Sequence, residues 1–154
     1  MDVPGAGAWD ANWAWSLPLI VLTVVIHVFG LAVIDQRVVR VLSGIMNRRR
    51  FIPLFAVVVG AAALLATGLH AGEAAIWAAA YRLLDAVPDS KSTMLYSVGA
   101  MTTYGHAGVY LAPHWQMMGA LEALNGMMLF GLTTAFLFSM IQKVLPEHHR
   151  GKRR

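Results

Sequence analysis

Three long apolar runs limit what this sequence can fold into. They begin near Ser16, Phe51 and Trp115, and each has the roughly twenty residues that a helix needs to cross a bilayer core of about 30 Å. Apolar residues make up 58% of the 154 residues and do not alternate with polar ones as in a half-buried strand. We therefore predict an all-α membrane protein with three transmembrane helices. The sequence contains no cysteine, which excludes disulfides and thiolate metal sites.

The basic residues indicate how such helices lie in a membrane. Five of the twelve Lys and Arg residues lie between the first two runs, and five more lie at the C-terminus. Because cytoplasmic loops are enriched in Lys and Arg, we predict an inner-membrane protein with its N-terminus outside and its C-terminus in the cytoplasm. We also expect the basic tail to attract anionic lipid. This distribution of charge does not indicate binding of nucleic acid.

A shorter segment lies between the second and third runs. Residues 90–101 would form a helix of about 18 Å, which is too short to span the bilayer. The preceding Pro88-Asp89-Ser90 is a typical helix N-cap signal. Because only about six residues, 109–114, lead back into the third run, the chain must return to the face from which it entered. We therefore predict a re-entrant pore helix followed by a filter loop.

These segments predict a single membrane domain in three parts. Residues 1–50 comprise an extracellular N-terminus, a first transmembrane helix at about 16–34, and a basic cytoplasmic loop. Residues 51–143 form a pore domain, with an outer helix at 51–84, the pore helix and filter at 89–108, and an inner helix at 115–143. Residues 144–154 form a basic cytoplasmic tail.

The predicted loop has the chemistry of a cation pathway. A helix that ends inside the membrane places about half a negative charge at its C-terminus. The backbone carbonyls of the segment that follows can replace the hydration shell of a cation. One loop cannot encircle an ion, so we hypothesise that four copies of the chain assemble around a shared axis.

The residues of this region resemble the potassium-channel pore-loop superfamily. The similarity is carried by Thr102-Thr103-Tyr104-Gly105-His106-Ala107-Gly108, by Leu95-Tyr96-Ser97 before it, and by Glu122-Ala123-Leu124-Asn125-Gly126 and Phe130-Gly131 after it. In that superfamily an outer helix, a pore helix, a T-T-V-G-Y-G-D filter and an inner helix build a homotetrameric pore. The resemblance implies a tetrameric cation channel whose filter carbonyls come from residues 103–106. We expect permeant K⁺ or Na⁺ as its ligands, with no covalent cofactor and no metal site.

The predicted filter departs from that pattern at four positions. Tyr104 replaces valine, His106 tyrosine, Ala107 glycine and Gly108 aspartate. Because a left-handed alanine costs about 1–2 kcal/mol, and because an acidic ring is lost, we favour a filter that is less selective for potassium over a fully selective or a blocked one. The alternative function is a non-conducting membrane scaffold or regulatory subunit. An enzyme is not expected, because no nucleophile lies beside a base.

Ionisable residues within the apolar runs predict polar contacts between helices. His70 and Glu73 lie three residues apart on one face of the second helix, as do Glu122 and Asn125 on the third. We predict that these pairs meet behind the filter and brace it as an interhelical clamp. The less favoured alternatives are a metal site of histidine and carboxylates and a titratable regulatory network. We expect His27, in the first helix, to hydrogen-bond a neighbouring helix.

One stripe of the third helix is a candidate cavity lining. Asn125, Leu129 and Thr133 follow each other at helical spacing, and if they face the axis they line a water-filled cavity below the filter. Gly126 lies beside them. Small residues in membrane helices allow close packing, and we favour that role for Gly126 over a gating hinge.

His106 gives a prediction for the pH dependence of conduction. An unperturbed imidazole titrates near pH ~6.5, so four of them around an axis would become a barrier to cations on protonation. We expect current to decline as the outer side is acidified through roughly pH 7 to 5.5. The current of wild type and His106→Tyr across this range tests it. An identical pH response in the variant contradicts a role for His106 and favours a neutral histidine packed behind the filter.

Overall fold

The computed structural model describes residues 6–43, 51–87, 92–105 and 108–151. Its four helices are α1 (Ala6–Ser43), α2 (Phe51–Leu83), α3 (Ser92–Met101) and α4 (Gln116–Gly151), and a single 3-10 turn at Pro113–Trp115 leads into α4. There is no strand within the described residues. The prediction of an all-α chain is confirmed.

Three of these helices are long and apolar enough to cross a membrane. The candidate spans within the described residues are Trp9–Val41, Ile52–Leu83 and Pro113–Gln142. Large apolar side chains such as Val21, Phe29 and Leu64 are exposed along them, as expected of surfaces that face lipid. The helices therefore have the composition of a membrane protein, as the apolar runs predict.

The three long helices form one bundle in which α1 runs antiparallel to α2 and parallel to α4. Near its start, α1 is tied to the start of α4, because the side-chain amide of Asn12 donates to His114 O at 2.6 Å and accepts from Met118 N at 2.8 Å. Further along α1, Gly30 lies against Leu69 of α2. The core consists of an aromatic cluster around Trp77, beside α3, an aliphatic cluster at the opposite end, and a small third cluster around Met101.

The short helix α3 packs in the angle between α2 and α4, starting from the end of the bundle at which α2 ends. Its last residue, Met101, contacts α4 at Gly126, which is about 15 Å along α4 from its first residue. The chain then returns, and Ala112 N donates to Ala86 O at 2.9 Å. The segment between α2 and α4 thus enters and leaves at the same end of the bundle.

The helix boundaries differ from the predicted ones mainly in α1 and α4. Helix α1 extends well beyond residues 16–34 at both ends, and α4 continues past residue 143 to Gly151. The apolar run defines only the portion suited to hydrocarbon. Each helix continues into the polar sequence beyond its apolar run, and α4 does so through Pro146. Helix α2 ends at Leu83, close to the predicted boundary. The predicted N-cap at Pro88-Asp89-Ser90 lies outside the described residues.

The close approach of α3 and α4 gives a stability prediction. A Cβ added at Gly126 would lie 2.2 Å from the carbonyl oxygen of Met101, whereas one added at Gly131 would meet nothing within 4 Å. Overpacking against backbone cannot be relieved by a side-chain rotation, so we expect Gly126→Ala to destabilise the protein by about 1–3 kcal/mol. Gly131→Ala should leave stability unchanged or raise it by about 1 kcal/mol.

Thermal unfolding of the two variants in the same detergent tests this prediction. A lower midpoint for Gly126→Ala alone is the expected result. Equal midpoints for both variants would contradict the placement of Met101 against α4.

Candidate functional site

The segment that follows α3 contains the predicted filter residues. Helix α3 closes with Thr102 N donating to Val98 O and Thr103 N donating to Ala100 O, each at 3.0 Å. Thr103 then adopts φ 56° and Gly105 φ 91°, both left-handed. This conformation suits glycine but costs a β-branched residue roughly 1–2 kcal/mol. The turn at Thr103 is therefore a strained helix end, and such strain often occurs at functional positions.

These residues are open to the surface of the single chain. Thr102, Thr103 and Gly105 are exposed, and Tyr104 is 86% exposed. Gly108 is also exposed, with φ 80°. His106 and Ala107 lie outside the described residues, so the expectations about their side chains stay predictions. The described part of the predicted filter thus forms no enclosed site within one chain.

A buried network around Glu122 holds α3 against both neighbouring helices. The Tyr81 hydroxyl donates to Glu122 Oε2 at 2.6 Å, and Ser97 of α3 hydrogen-bonds Glu122 Oε1. The same Ser97 hydroxyl lies 2.7 Å from Ala74 O of α2. Tyr96 packs edge-on against Tyr81 with ring centroids 5.4 Å apart. Glu122 of α4 therefore links α3 to α4 and α2. The bracing of the filter itself stays a prediction.

Counting hydrogens in this network assigns one proton to Glu122. A serine hydroxyl has a single hydrogen, yet Ser97 Oγ lies within bonding distance of two acceptors, Ala74 O and Glu122 Oε1. Both contacts are satisfied if a neutral Glu122 donates to Ser97 and Ser97 donates to Ala74 O. The Tyr81 hydroxyl then donates to the other Glu122 oxygen. A neutral carboxyl also avoids the cost of a buried, unpaired charge.

A second buried network joins α1, α2 and α4 around Glu73. His27 Nδ1 lies 2.8 Å from Glu73 Oε1, and His27 Nε2 lies 3.0 Å from Thr133 Oγ1. His70 Nε2 lies 3.1 Å from the same Thr133 Oγ1, and its ring stacks on Phe130 at 4.3 Å. His27 and Glu73 are fully buried. The expectation that His27 hydrogen-bonds a neighbouring helix is confirmed, since it bonds two.

The structure corrects the predicted meeting of the two polar pairs. His70 and Glu73 face His27 and Thr133, whereas Glu122 faces Tyr81 and Ser97. Asn125 joins neither pair, because its amide donates to Thr23 Oγ1 of α1 at 2.8 Å. The pairs are separated because Glu73 contacts histidines of α1 and α2, whereas Glu122 bonds hydroxyls of α2 and α3. They form two adjacent networks instead of one.

The residues predicted to line a cavity below the filter face the interior of the single chain instead. Asn125 and Leu129 are fully buried within the chain, Leu129 beside Met101 and Ala74. Thr133 is held by the two histidines. These residues therefore contact the chain's own helices and are not free to face a shared axis. Gly126 allows the close packing that the sequence analysis favoured, against Met101.

Sequence reasoning did not single out Tyr81 and Ser97 as partners of Glu122, or Thr23 as the partner of Asn125. Thr23 lies four residues before His27 on α1. A hydroxyl within an apolar helix is also a signal in itself, because it needs a hydrogen-bond partner there. The structure further shows an apolar groove between His70 and the end of α3. Val98, Met101 and Thr102 are among its other lining residues. His70 thus lies close to the start of the predicted filter.

Comparison of the chain with models of known protein families, with curated proteins and with solved structures finds no match. The assignment of a function therefore depends on the geometry of these residues.

The proton assigned to Glu122 gives a testable difference between two substitutions. A glutamine reproduces a neutral carboxyl, with its NH₂ donating to Ser97 and its carbonyl accepting from Tyr81. We expect Glu122→Gln to stay within about 1 kcal/mol of wild type, and Glu122→Ala to lose roughly 2–4 kcal/mol because it leaves a cavity and unpaired buried hydroxyls. Unfolding midpoints in detergent measure both. If Gln proves as damaging as Ala, Glu122 is ionised and accepts from both hydroxyls.

Proposed function

We propose that this protein is a cation channel in which four copies of the chain surround one axis, with residues 102–108 of each copy lining the ion pathway. The permeant ions are monovalent cations, K⁺ and Na⁺. In this arrangement α2 is the outer helix, α3 the re-entrant pore helix and α4 the inner helix. The non-conducting scaffold is the outcome to be excluded.

The observation that carries the proposal is the position of the exposed segment after α3. Helix α3 ends about 15 Å along α4, which is half the thickness of a bilayer core. Thr102 ends the helical hydrogen bonding, Thr103 and Gly105 follow in left-handed conformations, and all three are exposed. Irregular backbone at membrane depth is tolerated only where protein or water covers it. Other copies of the chain, together with a water-filled pathway, satisfy this requirement.

The surface beside this segment supports association with other copies. Leu95 and Val98 of α3 are exposed together with Tyr104, and an open groove with Thr102 and Gly105 among its lining residues runs between them. A neighbouring copy would cover these apolar side chains and leave the backbone carbonyls facing the axis. The C-terminus of α3 adds partial negative charge at that point, which favours cations.

The sequence supports modest selectivity and a defined orientation. The residues at positions 104 and 106–108 differ from a potassium filter, and carbonyl geometry decides the discrimination of K⁺ from Na⁺. Arg40 lies in the last turn of α1, at the end of the bundle opposite α3. With the basic end inside, the N-terminus and the filter face outward, and the chain lies in the inner membrane.

Cation flux through liposomes containing the purified full-length protein tests the proposal. We expect K⁺ and Na⁺ to pass at comparable rates. Because the chain has no cysteine, Tyr104→Cys provides a single thiol in the proposed pathway, and a positively charged thiol reagent should reduce flux to the level of protein-free liposomes.

The matched control is Leu64→Cys, an exposed position on the apolar surface of α2. The same reagent should leave its flux unchanged. An intact tetramer without flux would establish the scaffold instead, and equal inhibition at both positions would contradict the placement of Tyr104 in the pathway.

A further inference from the structure

The Glu73 carboxylate lies between two imidazole rings. His27 Nδ1 is 2.8 Å from one carboxylate oxygen, and His70 Nδ1 is 3.3 Å from the other. Ligand atoms from the three residues lie within 4.8 Å of one another. His27 and Glu73 are fully buried, and the His70 side chain is 12% exposed. Three groups that ligate transition metals therefore converge at one buried point.

Without an ion, and with both histidines neutral, the cluster has too few hydrogens for its contacts. If His27 Nδ1–H donates to Glu73, His27 Nε2 must accept the single hydroxyl hydrogen of Thr133. His70 Nε2–H must then donate to Thr133 Oγ1, which leaves a lone pair on His70 Nδ1. That lone pair faces Glu73 Oε2, also an acceptor. Neither atom makes an aligned hydrogen bond with any described residue.

A metal cation resolves the shortage. With both Nδ1 atoms bound to a metal, each ring carries its hydrogen on Nε2. The two Nε2–H groups then donate to the two lone pairs of Thr133 Oγ1, at the observed 3.0 and 3.1 Å. Thr133 would fix the orientation of both rings, as outer-shell partners of metal-bound histidines do. Glu73 stays ionised and supplies the third ligand.

We propose that His27, His70 and Glu73 form a binding site for a divalent transition metal of the zinc class. Two imidazoles and one carboxylate are an established ligand set for zinc, with a fourth position left to water or hydroxide. His70 is the member of the cluster that also lines an apolar groove open to the surface. The metal would join α1 to α2, with Thr133 of α4 as the supporting group, next to the groove that reaches Thr102. This site does not depend on the proposed channel function.

Elemental analysis of the purified full-length chain tests the proposal. The protein carries His148→Ala and His149→Ala and no polyhistidine tag, because adjacent histidines bind metal on their own. After chelator treatment and incubation with zinc chloride, we expect one zinc per chain. His27→Asn, His70→Asn and Glu73→Gln should each weaken zinc affinity by at least about tenfold. His114→Asn, an exposed histidine outside the cluster, is the matched control and should bind zinc normally.

Zinc X-ray absorption of this background protein, with the cluster intact, keeps the proposal testable if the variants fail to fold. The spectrum should show two histidine nitrogens and carboxylate or water oxygen around the metal. Failure to take up zinc would overturn the proposal and assign a shared proton to the space between His70 and Glu73. Zinc uptake that is unaffected by all three variants, or a spectrum without histidine, would overturn it as well.

Discussion

The structure depends on the cost of leaving backbone polar groups unpaired in an apolar environment. Between α3 and α4 the chain abandons helical hydrogen bonding at a depth where the flanking helices are apolar. Several contacts hold α3 and the non-helical segment after it in position. Ser97 bonds both neighbours of α3, Gly126 admits the end of α3 against α4, and Ala112 N returns to Ala86 O. These contacts therefore fix the position of the exposed Thr102 and Thr103.

The buried polar groups hold the helices together in a defined register, which apolar packing alone determines only weakly. In lipid there is no hydrophobic drive to associate helices, so hydrogen bonds and close packing set their register. Glu122 links α4 to α2 and α3, Glu73 links α2 to α1, and Asn125 links α4 to α1. Every pair of long helices is therefore fixed by at least one buried polar contact or by a network that they share. These contacts would also hold the segment after α3 in the proposed ion pathway.

The sequence predicts which segments of this fold are helical better than it predicts which side of each helix faces the core. The apolar runs and the segment lengths are sufficient to predict the three long helices and the short α3, because the thickness of the membrane determines how long a spanning helix must be. The inward direction of Asn125, Leu129 and Thr133 could not be predicted in this way. A helix that is apolar on all sides has no polar face to mark its core side. The partnership of His27 with Glu73 joins residues 46 positions apart and likewise needs the packed structure.

A density map of the purified protein in lipid nanodiscs tests the central claim most directly. The account predicts a particle of four 16.7 kDa chains related by a fourfold axis, with the backbone oxygens after α3 facing that axis at mid-membrane depth. A particle with a single chain, or a map in which residues 102–105 face lipid or bulk solvent, would contradict it.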